Sequence, residues 1–429
     1  MAVAKVESRN PWSWIPTLYF AEGVPYILVN TVSVILYKRM GVDNAQIAFW
    51  TSLLYLPWVL KMLWGPLVDL YSTKRNWIMF TQLTLAGCFG FAAFALHLPN
   101  YFIVSLFAFI IAAFVSATHD ISADGFYMLA LSKEDQALFV GIRSVFYRIA
   151  MIFGSGFLVF FAGQLEKSLG NIPLSWTIVF AFSGAIFLLI FLYHKFILPY
   201  PSVDNKRTPK EVAEGAPFLK IFSEYFKQKG IFGIIFFILF YRFGEAMLVK
   251  LASPFLLDSH EAGGLGLSTS EVGLVYGTVG VISLILGGIF GGWVISKYGL
   301  KKCIWPMALI LNVPHAAYLY MAFAQPPVYL AYPLVAIEQF GYGLGFTAFM
   351  VYLMYISKGI YKTSHYAIST GIMALGMMIP GLVSGYIQQA VGYKMFFIIV
   401  LLMAIPGLLS LLFIPTIEEE KNETAVEEK

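Results

Sequence analysis

Twelve stretches of about 20 or more mostly apolar residues, each bounded by charged or turn-forming residues, follow one another along this chain. They run roughly over 12–37, 45–67, 76–97, 101–131, 137–164, 174–198, 231–257, 270–296, 302–324, 327–356, 366–391 and 393–415. Backbone placed in hydrocarbon must satisfy its hydrogen bonds within itself, so each span reads as a helix. The expected fold is an all-α integral membrane protein of twelve transmembrane helices. Composition agrees: 12% of residues are charged, against about 25% in soluble domains. A dispersed net charge of +4 offers no footprint for nucleic acid. Cys88 and Cys303 lie in apolar spans and read as buried thiols, with neither a disulfide framework nor metal-ligand spacing. The first span follows a short polar start and shows no small-residue cleavage site, so it reads as a retained helix.

An even number of spans puts both termini on one side. Most basic residues between spans, among them Lys5, Arg9, Lys74, Arg75, Lys133, Lys206, Arg207, Lys210, Lys297, Lys301, Lys302 and Lys358, fall on that side; Lys38, Arg39, Lys167 and Lys394 fall opposite. The excess predicts a multi-pass protein of the cytoplasmic (inner) membrane with both termini in the cytoplasm. One long polar connection divides the chain into a first six-helix bundle (1–198), a cytoplasmic linker (199–230), a second six-helix bundle (231–415) and an acidic, disordered tail (416–429). Within the linker, Pro217 to Lys229 sets Phe218, Ile221, Phe222, Tyr225 and Phe226 on one face, which predicts a helix lying on the membrane surface. The Asn422 sequon lies in the tail and is expected to be inert there.

A carboxylate at a helix centre costs at least ~2.5 kcal/mol in lipid, so intramembrane acids face a bundle interior or a wet cavity. Asp120 and Asp124 stand one turn apart in the fourth span. Spans four and five turn back on each other near Ser132, so equal distances from that turn match Asp120 with Arg148 and Asp124 with Arg143 in depth. Glu22, followed by Gly23 and Pro25, falls near the same level. A central cluster of Glu22, Asp120, Asp124, Arg143 and Arg148 is expected. It reads either as a static lock between helices or as a coupling device, in which a proton neutralises an aspartate and frees its arginine for a substrate carboxylate.

The second half carries its own polar set, Arg242 and Glu245 three residues apart, then Glu338 beside Gln339. Arg242 with Glu245 reads as an intrahelical pair or as a pair of substrate contacts. Lys61 is expected to snorkel, and His119 and His315 to pack through hydrogen bonds without a metal. Tyr26, Tyr147, Tyr342 and Tyr352 lie deep enough to stack on sugar rings or to fill the core. Glycine runs at Gly287–Gly292 and Gly341–Gly345 predict close helix approach.

The halves also repeat. Gly65-Pro-Leu-Val-Asp69 followed by Lys74 and Arg75 matches Gly292-Trp-Val-Ile-Ser296 followed by Lys301 and Lys302, and Glu22 falls opposite Glu245. Six plus six helices, a long central connection and this duplicated signature resemble the major facilitator superfamily. The resemblance implies alternating access, with Gly65, Asp69, Lys74, Arg75, Gly292 and Lys301 as gating residues; Leu70 and Ser296 depart from the usual pattern. A narrower likeness lies in Tyr19-Phe-Ala-Glu-Gly-Val-Pro-Tyr26, Leu56-Pro-Trp-Val-Leu-Lys61, Ala117-Thr-His-Asp-Ile-Ser-Ala-Asp124, Tyr147-Arg148 and Pro254-Phe-Leu-Leu-Asp258. These resemble the muropeptide permeases of the AmpG type and the related acetyl-CoA transporters.

That resemblance implies a proton-coupled importer of anhydro-muropeptides released in cell-wall turnover, and the chain is expected to act as a monomer. Its partners would be a small-molecule substrate, protons and the bilayer, with no cofactor and no metal. Asp120, Asp124 and Glu22 are then the proton-coupling candidates. Arg148, Arg143, Arg242, Glu245, Glu338, Tyr26 and Tyr147 are the substrate-binding ones. A carrier of oligosaccharides or another organic anion is the alternative within transporters. A membrane-embedded prenyltransferase would use the Asp120–Asp124 spacing for magnesium, but it needs a second acidic cluster, and nothing acidic neighbours Glu338 in sequence.

Overall fold

Short polar turns between long apolar runs start several of the helices with a cap. Ser132, Asn171 and Ser268 accept from backbone N–H groups of the following turn, and Glu271 completes a capping box with Ser268. A computed structural model describes residues 9–205, 218–357 and 362–415. The polar start with Lys5, the basic residues Lys206, Arg207 and Lys210, Lys358, and the acidic tail with Asn422 lie outside the described residues.

The helices are α1 (Pro11–Arg39), α2 (44–71), α3 (Lys74–Ala95), α4 (Tyr101–Ala130), α5 (Glu134–Leu169), α6 (Ile172–Ile197), α7 (Ile231–Leu257), α8 (Thr269–Tyr298), α9 (Leu300–Ala324), α10 (Val328–Ile356), α11 (364–391) and α12 (393–410). Ten described segments are long and apolar enough to cross a membrane. Ser364–Ser410, at 47 residues, would reach ~70 Å as one helix, over twice the hydrocarbon thickness of ~30 Å. It is therefore two passes, turning at Gly392, whose φ of 75° suits glycine. With the interrupted α2, the described residues make twelve passes, as the sequence predicts. Large side chains such as Ile103, Phe107, Leu189 and Ile289 point outward, as a lipid-facing surface requires.

α1–α6 and α7–α12 form two lobes, which meet chiefly through α2 against α11 and α5 against α8. Glycine permits both approaches. A Cβ at Gly277 would fall 1.8 Å from the Ser155 carbonyl oxygen, and one at Gly385 would fall 2.2 Å from that of Asn44. The two glycine runs read from sequence act within the second lobe, where Gly287 and Gly343 bring α8 against α10. The connector Phe218–Phe226 is helical, but Ile221 and Tyr225 are buried against the second lobe, and the Tyr225 hydroxyl lies 2.8 Å from that of Ser369. Part of its apolar face is thus taken up by protein, while Phe226 stays exposed.

Polar bonds between the lobes gather, among the described residues, at the face opposite the termini. Lys38 Nζ lies 2.6 Å from Asp258, which also accepts from Tyr393 at 2.7 Å. Asn44 donates to Gln388 and Tyr393, while Glu166 accepts from both Arg39 and Thr269. Partly exposed pairs of this kind contribute ~0.2–1 kcal/mol each, so the seam is a latch and not a weld. Asp258→Asn is expected to raise labelling of cysteines placed along this seam by a membrane-impermeant thiol reagent about two- to fivefold. Unchanged labelling would show that the Lys38–Asp258 pair does not hold the lobes together.

Candidate functional site

On the terminal side of that seam, the lobes enclose a cavity of about 420 Å³. α1 contributes Tyr19, Glu22 and Tyr26, α4 Asp124, α5 Arg143, Tyr147 and Arg148, and α10 Tyr342 and Phe346. A second cavity of about 300 Å³ adjoins it, sharing Tyr26, Tyr342 and Phe346 and adding Tyr55, Trp58, Lys61, Arg242, Tyr276 and Gln339. Both sizes suit small organic solutes. Tyr26 meets Trp58, Tyr55 and Tyr147 at ring-centroid distances of 5.2, 6.2 and 6.4 Å. The wall is therefore largely aromatic.

Asp124 and Arg143 pair as depth matching predicts, at 2.9 Å, and Tyr19 closes a triangle by donating to Asp124 and accepting from Arg143. The guanidinium also stands over the Tyr19 and Tyr127 rings. Arg143 thus reaches both partners through its Nη1 atom. Asp120 does not pair with Arg148, contrary to expectation. Its Oδ2 accepts from Trp58 Nε1 at 2.9 Å and lies 3.7 Å from Lys61 Nζ, so Asp120 belongs with α2. The reason is the position of α1, which packs against both α4 and α5 and separates them away from their shared turn. Lys61 accordingly turns inward to the smaller cavity instead of snorkelling.

Arg148 is left facing the larger cavity with no hydrogen-bond or ion-pair partner among the described residues. Glu22 lines the same cavity, and its Oε2 has no hydrogen-bond partner either. The expected five-membered cluster is therefore two groups: Glu22, Asp124, Arg143 and Arg148 around one cavity, and Asp120 with Lys61 and Trp58 beside the other.

In the second lobe the intrahelical reading fails. α7 is interrupted at Arg242, whose φ of −114° and ψ of 21° are not helical, and this turns its guanidinium onto Tyr342 and Phe346. Glu245 instead meets His315 at 2.8 Å. Neither Glu245 nor Glu338 lines either of these two cavities. Glu338 also has an acidic neighbour after all, because Glu245 comes within 4.8 Å through the fold. His119 is a packing residue, bonded at 3.1 Å to Gln82, which also reaches His194. Tyr352 is buried core against Phe237. Lys250, unnoticed in the sequence, is buried and donates across the lobes to Thr51 at 3.1 Å while standing over the Tyr55 ring. Its signal was plain: a lysine inside an apolar span.

The residues expected to gate lie at the terminal face. Arg75 donates to the Lys195 carbonyl and stacks on Tyr200, and the Lys74 and Arg75 backbones donate to Asp204, so these contacts stay within the first lobe and the start of the linker that follows it. Gly65 and Gly292 border open space, and Lys301 is exposed. The Asp69 side chain lies outside the described residues.

The chain belongs to the major facilitator superfamily, whose model matches residues 17–366 and 243–429. It is 26% identical over 403 residues to the anhydromuropeptide permease of Escherichia coli, covering 92% of this chain and 78% of that one. It is 29% identical to an uncharacterised protein of Haemophilus influenzae, over 95% of each chain. Among solved structures, a D-xylose-proton symporter superimposes with a TM-score of 0.73 at 11% identity, covering 95% of this chain and 98% of that one. The protein is a multi-pass membrane transporter, not an enzyme.

Proposed function

We propose that this chain imports anhydro-muropeptides across the inner membrane by alternating access, drawing protons in with them. The carrying observation is Arg148, an unengaged guanidinium facing a cavity walled by Tyr26, Tyr147 and Tyr342. A fixed, planar fork matches a peptide carboxylate in bidentate fashion, and aromatic faces take sugar rings. A relative of known name, the Escherichia coli anhydromuropeptide permease, supports the substrate class. With the termini in the cytoplasm, the latched seam faces the periplasm and the cavity faces inward, the state from which substrate is released.

Coupling falls to Asp120 in this reading. Protonation of a carboxylate held by Trp58 and Lys61 frees the lysine, and each conformation that brings or removes the cation changes the affinity for the proton. Asp124 with Arg143, already closed on Tyr19, serves as the support, and Glu22 offers a second carboxyl to the cavity. The test is uptake of labelled anhydro-muropeptide against chitobiose into proteoliposomes, with and without an imposed pH gradient. Accumulation of the muropeptide that depends on the gradient is expected; equal uptake of both, or none, overturns the reading. Asp120→Asn is expected to remove the gradient's effect while leaving exchange of substrate across the membrane. Gradient-driven accumulation by that variant would take the coupling role away from Asp120.

A further inference from the structure

Behind the Tyr276 and Gln339 wall of the smaller cavity, the second lobe buries a group that transport as proposed does not use. Glu245 comes from α7, His315 from a break in α9 and Glu338 from α10, and each is 0% exposed. Pro314, which has no N–H to give, sits in that break, where Val313–His315 tightens to a 3₁₀ turn and swings the imidazole inward. His315 Nε2 lies 2.8 Å from Glu245 Oε2, and one ligand atom from each of the three residues falls within 4.8 Å of the other two.

Two carboxylates in a dry lobe are costly unless a proton or a positive charge neutralises them. Of the nearby cations, Arg242 faces Tyr342 and Phe346 and Lys250 donates to Thr51, and neither is paired with these carboxylates among the described residues. Gln339 supplies one hydrogen bond to Glu338 Oε2 at 2.9 Å. Glu245 Oε1, Glu338 Oε1 and His315 Nδ1 have no partner, nor does the buried Tyr318 hydroxyl one turn along. These unpartnered atoms are the observation independent of the clustering.

We propose that Glu245, His315 and Glu338 bind one divalent transition-metal ion of the zinc class, clamping α7, α9 and α10 together. A neutral imidazole with two carboxylates makes a three-ligand N/O set of net charge −2, which a divalent ion cancels. Zinc takes such ligands at ~2.0–2.2 Å and keeps a fourth position for water, which sets its ligand atoms roughly 3.4 Å apart, within the range these three residues already span. Calcium and magnesium prefer all-oxygen sites and are disfavoured by the imidazole.

The inference stands apart from the transport reading, because the ion binds whether or not any substrate moves. The full chain, purified in detergent and stripped by a chelator that is then removed, is titrated with zinc chloride, and bound metal is counted by mass spectrometry. One ion per chain is expected, with a rise of a few degrees in melting temperature, and calcium is expected to do neither. Affinity is expected to fall at least 100-fold in His315→Gln and Glu338→Gln, and to stay unchanged in His260→Gln on the surface. X-ray absorption of the zinc-loaded natural chain is expected to read nitrogen and oxygen ligands without sulfur, a result that needs no variant to fold. Absence of saturable binding, equal affinity in both cluster variants, or sulfur ligation from Cys88 or Cys303 overturns the proposal. None of these results touches the uptake assay.

Discussion

Arg148→Ala lowers uptake of labelled anhydro-muropeptide by roughly 10- to 100-fold, the equivalent of ~1.5–3 kcal/mol for hydrogen bonds to a charged group. The size follows from the geometry. Arg148 lines the larger cavity and spends none of its donors on protein among the described residues, so the whole fork is free for a carboxylate. For the same reason the fold tolerates its removal, and the melting temperature of the variant is expected to stay within about two degrees of the natural chain. Arg148→Lys keeps the charge but loses the planar fork, and an intermediate loss is expected. Arg143→Ala differs in kind, since it strips Asp124 and Tyr19 of their shared partner and is expected to lower both stability and uptake. Near-normal uptake by Arg148→Ala would remove that residue from the binding site.

Gly277→Leu is expected to abolish uptake by a different route. In the present conformation a Cβ at this position would stand 1.8 Å from the Ser155 carbonyl oxygen, and backbone cannot move aside as a flexible side chain can. The α5–α8 seam then fails to close. Overpacking of a fitted contact costs ~1–3 kcal/mol or more, enough to shift a two-state equilibrium about fivefold or beyond. Cysteines along the seam are therefore expected to label with impermeant reagent nearly to completion, while substrate trapped inside vesicles is no longer released by exchange. Gly87→Leu, on an open and exposed face of α3, is expected to change neither. Normal uptake by Gly277→Leu would mean that the seam opens and closes somewhere other than α5 against α8.

The spans, the two lobes and the Asp124–Arg143 pair were legible because each depends on depth or on local pattern. Hydropathy marks where a chain enters and leaves the bilayer, and counting from the turn at Ser132 levels Asp124 with Arg143 where α4 and α5 still lie close. Depth says nothing of rotation about the helix axis or of what lies between two helices. That is why Asp120 was matched to Arg148 although α1 stands between α4 and α5, and why Lys61 was read as snorkelling although it faces Asp120. The meeting of Glu245 with His315 spans 70 residues and depends on two helix breaks, at Arg242 and at Pro314. Proline hinted at the second of these; nothing in the local sequence announced the first. The seam network of Lys38, Asn44, Asp258 and Tyr393 was equally hidden, since loops carry no periodicity to align them.

Substrate recognition by a guanidinium that seeks a carboxylate is the claim on which the rest depends. It is tested most directly by competition in proteoliposomes: labelled anhydro-muropeptide uptake is measured against unlabelled anhydro-muropeptide and against the same molecule with its peptide carboxylates converted to amides. The account predicts that the free acid competes fully and the amide at least tenfold more weakly, and that Arg148→Lys narrows this difference. Equal competition by acid and amide would contradict it.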